Sequence, residues 1–174
     1  STIPQAGCFS EQYNSIQLLS YITKDYGIKV YVKEYYLQPY RERLFWDEIK
    51  DLENVVLIKS DVSSGELMEK AMAVACQTGT SLLEAPFYGI PALTFGGGHC
   101  FKGMPGLFEI TDYEQGKQVI EQVISGVHID LDDLKLYYYA LQRNSVFYHR
   151  TPVGQVEVNS DEYKQMYGRK VNEK

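Results

Sequence analysis

The chain is poor in the residues that build metal centres, disulfide frameworks and membrane spans. Its 174 residues include three His, three Cys and one Trp. Cys8, Cys76 and Cys100 are odd in number, form no C-x-x-C pair and stand at no zinc-finger spacing with histidine. That argues against a disulfide scaffold or a structural zinc and suits a reducing, cytoplasmic compartment. No stretch approaches the roughly 18 apolar residues a membrane span requires, and the first residues form neither a charged n-region nor an apolar h-region. Basic residues are in deficit, 17 Lys plus Arg against 23 Asp plus Glu, for a formal charge of -6. Without a general basic surface, nucleic acid is not an expected partner. Asp130, Asp132 and Asp133 fall at a predicted helix start, where they complement the dipole, so neither a metal site nor a paired-carboxylate hydrolase is read from them.

What is present describes a globular domain. Hydrophobic residues make up 44% and charged residues 23%, with 14 Gly and 6 Pro, in a length typical of one domain with a sizeable core. Tyrosine is in surplus, at 15. The chain lacks an initiator Met and opens in a loop with no strand ahead of its first helix, so the expectation is a piece of a longer protein.

Along the first two-thirds the hydrophobic period alternates between helical and strand-like, the pattern of β-α units in a parallel sheet. Ile16, Leu19, Ile22 and Tyr26 mark a helical face that Gly27 ends, and residues 28–33 read as a strand. Phe45, Ile49 and Leu52 mark a second helix, and residues 54–59 a second strand. A short helix with Leu67, Met68, Ala71 and Met72 precedes strands at 73–77 and 91–95, which flank a helix expected to end near Gly89. Residues 96–106, with five Gly and one Pro, read as a loop, and 107–110 as a short fifth strand. Val119, Ile120, Val123 and Ile124 give an amphipathic helix, and Leu131, Leu134, Tyr138 and Leu141 a last one. Beyond Asn144 the chain turns polar and loses its period. The predicted organisation is a sheet domain over 1–126, a terminal helix over 127–145 and a polar tail over 146–174. The fold class is α/β, one open, mostly parallel sheet with helices on both faces and a ligand at the carboxyl ends of its strands.

The most informative stretch is residues 73–98, AVACQTGTSLLEAPFYGIPALTFGGG. Thr78, Gly79, Thr80 and Ser81 fall where a strand end meets a predicted helix start, so N–H groups, hydroxyls and helix dipole are expected to converge on one anion-sized spot. Phosphate is the natural occupant. Ser81 and Glu84 also fit the S-x-x-E capping box, so the same residues serve equally as a cap alone. Pro86 lies beyond the first turn and should bend or shorten that helix. Lys33, Arg41 and Arg43 follow the first strand on the side where an anion would bind, although a solvated loop-to-helix face accounts for the two arginines as well. Gly96, Gly97 and Gly98 make a close-approaching loop without the Gly-Lys-Ser/Thr of a P-loop, and they place His99 at the sheet edge. Cys100 has no sequence-local base and reads as a passive thiol. His128 and His149 lie far from that edge.

The order VKE at 32–34, NVVLI at 54–58, TGTSLLEA at 78–85 and GIPALTFG at 89–96 resembles the carboxyl-terminal half of capsule polysaccharide biosynthesis proteins. These are glycosyltransferase-like proteins of the GT-B architecture and include bacterial Kdo transferases that use CMP-activated sugar. The resemblance covers most of the chain, through about residue 124. It implies a Rossmann-like donor-nucleotide domain, one of two halves facing a cleft, with the catalytic base on the other half. It implies that Thr80, Ser81 and Glu84 line the nucleotide pocket, with Gly79 allowing close approach and Lys33 and Glu34 matching the family's strand end; with Thr78, Gly97 and His99 from the reading above and Tyr35 in the place of the family's histidine, these make the candidate nucleotide-sugar-binding set. No metal or separate cofactor is implied, the activated sugar being the substrate. The acceptor would be a polysaccharide or lipid-linked glycan, and the assembly would work in the cytoplasm, at the inner face of the membrane. In that family the strand ending in Lys33-Glu34 usually continues His-Pro, and here Tyr35-Tyr36 stand instead. A tyrosine can stack and donate a hydrogen bond but cannot act as a near-neutral acid. Two other readings therefore stay open: a non-catalytic glycan- or partner-binding module on the same fold, and a nucleotide-sugar epimerase of similar architecture.

Overall fold

The structure is a computed structural model that describes residue 9 and residues 11–34, 41–95, 101–144, 148–150 and 156–158, the last two stretches as backbone. It divides into two compact units, Ser1–Leu131 and Asp132–Lys174.

The first unit is mixed α/β with parallel strands in open sheets. Strand β1 (Val30–Lys33) pairs in parallel with β2 (Val55–Ile58), Val30 opposite Val55. Strands β3 (Val74–Cys76), β4 (Ala92–Phe95) and β5 (Leu107–Ile110) form a second parallel group in that order. The strands were expected in one sheet; among the described residues they hydrogen-bond as two groups, β1 with β2 and β3 to β5. All four residues of β4 are buried, as a central parallel strand requires when both its faces are covered.

The helices alternate with these strands. They are α1 (Gln12–Lys24), α2 (Arg43–Ile49), α3 (Ser64–Met68), α4 (Ser81–Glu84) and α5 (Tyr113–Ser125). Leu93 and Phe95 of β4 share one core cluster with Leu19 and Ile22 of α1 and Val119, Ile120 and Val123 of α5. Ala92, on the opposite face of the strand, clusters with Leu82 and Ala85. Most of the periods read from the sequence thus find their partners, but Tyr26 and Ile124 are exposed, and Leu52, Ala71 and exposed Met72 lie beyond the ends of α2 and α3. Asp112 caps α5 by accepting a hydrogen bond from Gln115 N–H at 2.9 Å.

Pro86 does what a proline inside a helix does. The α-helix stops at Glu84 and the chain continues as a 3₁₀ turn over Ala85–Tyr88, because the missing N–H and the ring disrupt the i→i−4 ladder. Gly89 then closes the turn at φ 73°, a left-handed conformation that glycine adopts without a Cβ penalty.

One side chain fixes the base of the unit. Asn54 Nδ2 lies within hydrogen-bond distance of the Ser20 carbonyl (3.1 Å), Thr23 Oγ1 (3.0 Å) and the Ile28 carbonyl (3.1 Å), while Asn54 Oδ1 accepts from Ser20 Oγ. The last turns of α1 are thereby tied to the starts of β1 and β2.

Helix α6 (Leu131–Arg143) starts at the last residue of the first unit and makes up the start of the second, and Leu134 is its buried residue. Leu131, expected on the buried face, is exposed. The stretch beyond Asn144 contains two short antiparallel strands, β6 (Tyr148–Arg150) and β7 (Val156–Val158), where the sequence gives only polar, aperiodic chain. Among the described residues no helix is long and apolar enough to cross a membrane.

Candidate functional site

Chain direction decides where a site can lie. The carboxyl-terminal end of α1 is tied to the starts of β1 and β2 through Asn54. Phe9, just ahead of α1, packs its ring edge-on against Phe95, the last residue of β4, at 5.2 Å between centroids. Its carbonyl accepts a hydrogen bond from the Gln77 side chain, one residue past β3. Helix α1 therefore starts at the carboxyl ends of β3 and β4 and runs back to the amino end of β1. Within each group the strands are parallel, so β1 and β2 end together and β3, β4 and β5 end together, and the carboxyl ends of parallel strands are where ligands bind in open sheets.

Gln77 and Thr94 form a buried polar link at the carboxyl ends of β3 and β4. Thr94 is fully buried, and its hydroxyl donates to the Gln77 carbonyl at 3.0 Å. The Gln77 amide in turn holds the Phe9 backbone. Paired in this way, the polar groups avoid the cost of unsatisfied burial and fix the rim of the sheet. Neither residue is among those singled out from the sequence. The available signal is a polar side chain at the end of each of two apolar strands.

The turn after β3 carries the donors. Gly79 packs on Cys76: its N–H donates to Cys76 Sγ at 3.1 Å, and a Cβ at this position would stand 2.7 Å from that sulfur. The thiol thus accounts for Gly79 without a ligand. Thr78 and Thr80 are exposed and Ser81 is half-buried. The Gly79 and Thr80 carbonyls accept from Leu82, Leu83 and Glu84, while the N–H groups of Thr80 and Ser81 meet no backbone acceptor among the described residues.

The expected capping box is absent. Thr80 occupies the N-cap with helical dihedrals (φ -59°, ψ -22°) and makes no side-chain cap bond, and Ser81 is already the first helical residue. A helix of four residues also sums few peptide dipoles. Donation here comes from two N–H groups and three hydroxyls, and the expected macrodipole contribution is small. Exposed Glu84 brings a negative charge to the same turn.

The end of β1 is built differently. Glu34 receives both arms of the Arg41 guanidinium, Nε to Oε2 at 2.6 Å and Nη2 to Oε1 at 3.0 Å, with both side chains largely buried. The guanidinium also lies 4.2 Å from the centre of the Phe45 ring. This bidentate, stacked pair pins the residues after β1 to the start of α2. Arg41 is thus committed to the fold. Arg43 is a surface residue paired with Asp47 at 3.3 Å, one turn on along α2, the solvated helix face weighed for it. Lys33 is half-buried at the strand end and meets no carboxylate among the described residues.

Of the residues singled out from the sequence, Thr78, Gly79, Thr80, Ser81 and Glu84 share the turn and short helix after β3, and Lys33 and Glu34 lie at the end of β1 and just past it. Tyr35, Gly97 and His99 lie outside the described residues, as does Tyr36. Among the described residues no group of three His, Cys, Asp or Glu side chains is placed to hold a metal ion. No protein-family model matches the chain, and no curated protein or solved structure matches it.

Proposed function

We propose that this chain is the donor-binding half of a GT-B-type glycosyltransferase of capsular or surface polysaccharide assembly, a Rossmann-like domain that holds a nucleotide-activated sugar at the carboxyl edge of its strands. The observation that carries the reading is the turn at 78–81. It presents two uncommitted backbone N–H groups and three hydroxyls at the end of a parallel strand, beside the start of α1. Such an array suits the oxygens of a diphosphate or monophosphate ester, each donor being worth more to a charged acceptor than to a neutral one. Lys33 supplies a positive charge at the carboxyl end of β1. The motif order of the sequence adds the sugar chemistry, with a CMP-linked donor first among the candidates.

In this reading the chain binds and orients the donor, and the acceptor glycan and the catalytic base belong to a facing half. The 174 residues alone are expected to transfer little or no sugar, and robust turnover from them would overturn the two-half picture. Binding is tested by thermal unfolding with CMP, UDP and GDP. A ligand at a hundred times its Kd adds about 2.7 kcal/mol, which for a chain of this size raises Tm by roughly 5–10 °C. Selective stabilisation by one nucleotide, reduced in Thr80→Ala/Ser81→Ala, is the expected result. No response to any nucleotide, with a response to oligosaccharide, would replace this reading with a non-catalytic glycan-binding module.

A further inference from the structure

The peptide units between residues 77 and 81 are each held through one of their two polar groups. The Gln77 carbonyl accepts from the fully buried Thr94 hydroxyl at 3.0 Å, which fixes the plane joining residues 77 and 78. The Gly79 N–H donates to Cys76 Sγ at 3.1 Å and fixes the next plane. The Gly79 carbonyl accepts from Leu82 N–H at 3.1 Å, and the Thr80 carbonyl from Leu83 N–H at 2.8 Å and Glu84 N–H at 3.1 Å. These units are trans, so N–H and C=O point in opposite directions across each plane. With the last two carbonyls turned into α4, the Thr80 and Ser81 N–H groups are aimed the other way.

Gln77 joins this run of fixed planes to the rest of the unit. Its side-chain amide donates to the Phe9 carbonyl just ahead of α1, while its own carbonyl is the acceptor for Thr94. The Phe9 ring meets Phe95 edge-on, and Phe95 is the chain neighbour of Thr94. Phe9, Gln77, Thr94 and Phe95 thus close a ring of contacts, and none of the four is more than 7% exposed. A buried polar link of this kind holds only while every member is paired, because an orphaned buried group costs more than a typical hydrogen bond contributes. Removing the Gln77 amide orphans the Phe9 carbonyl, and removing the Thr94 hydroxyl releases the plane at 77–78.

We infer that Gln77 is the positioning residue of the turn at 78–81: held by Thr94 through its backbone and tied to Phe9 through its side chain, it sets the direction of the Thr80 and Ser81 N–H groups and makes that direction depend on the docking of Phe9. It touches no ligand itself. The role deepens the nucleotide reading of this turn and rests on that reading for the ligand alone, because the order of the turn is a property of the chain without ligand.

NMR relaxation of the backbone amides in the ligand-free 174-residue chain is the first arm of the test. Thr80 and Ser81 should be as rigid as ordered backbone, with an order parameter of about 0.85, and should fall below about 0.6 in Gln77→Leu and in Thr94→Val. Thr94→Ser, which keeps the hydroxyl, should leave both rigid. Asn54→Leu, which loosens the base of α1, should lower Tm without moving either amide. The second arm is binding of whichever of CMP, UDP and GDP the native chain takes up. Its Kd should rise at least about tenfold in Gln77→Leu and Thr94→Val, the cost of re-ordering one turn residue on binding, and stay unchanged in Asn54→Leu. Amides that are already mobile in the native chain, or that stay rigid in both Gln77→Leu and Thr94→Val, would overturn the assignment. So would mobile amides with an unchanged Kd, or equal effects in Asn54→Leu. If Gln77→Leu does not fold, Thr94→Val against Thr94→Ser decides on the same two amides. A native chain that binds none of the three nucleotides would remove the nucleotide reading, and the ligand-free amides would still decide whether Gln77 positions the turn.

Discussion

Single residues at the strand edge carry more structural work than their sequence context suggests. Gly79 invites a reading as a ligand-approach glycine, yet its Cβ position is already taken by Cys76 Sγ at 2.7 Å. Gly79→Ala should therefore destabilise the fold by about 1–3 kcal/mol through overpacking, even without any ligand. Adding Cys76→Ala should recover most of that loss, and a double-mutant cycle in urea measures the coupling. Independent, additive effects would show that the contact does not decide the residue. Arg41 carries a similar lesson. Its charge, in a loop after a strand, suggests phosphate, and only the paired geometry shows the fork closed on Glu34 and stacked on Phe45.

At the scale of elements, most of the order was legible. Helical and strand-like periods in 11–34, 43–58 and 107–125 map onto α1 to β2 and β5 to α5, because each helix buries most of the stripe its period marks, Tyr26 and Ile124 being exposed. The helix after β3 shows where local rules compete. A capping box and a proline both bear on residues 81–86, and the proline wins by ending the α-helix at Glu84. The role of Asn54 is not legible locally. The sequence places it as the first residue of the strand 54–59, whereas β2 starts at Val55, and its hydrogen-bond distances to Ser20, Thr23 and Ile28 exist only once α1 lies beside β1. Asn54→Leu should cost about 1–3 kcal/mol, since it strands partly buried polar groups at the base of α1. Chemical denaturation gives the figure, and a loss below a few tenths of a kcal/mol would rule out an anchoring role.

Across the whole first unit, two apolar clusters on opposite faces of β4 hold the edge in place. Leu93, 2% exposed, sits at the heart of the larger one, so Leu93→Ala should cost about 2–5 kcal/mol, a large share of a domain's usual 5–15 kcal/mol. Trp46, on α2, reports the same transition by fluorescence if the unit unfolds as one. A Trp46 midpoint unmoved by the substitution would show that α2 and β4 melt separately.

The sequence by itself determined the class of the protein: parallel β-α units, an apolar strand buried on both faces, and a donor-rich turn at 78–81. Each of these follows from period, composition or a neighbouring residue, which are local properties. Tertiary structure alone decided which polar residues are already committed. Gln77 holds Phe9, Thr94 holds Gln77, Arg41 holds Glu34 and Cys76 fills the space at Gly79. It also decided that, among the described residues, β1 and β2 pair apart from β3, β4 and β5. Those outcomes depend on contacts between residues far apart in the chain, and no local pattern encodes such a contact until the packed helices fix which strands stand side by side.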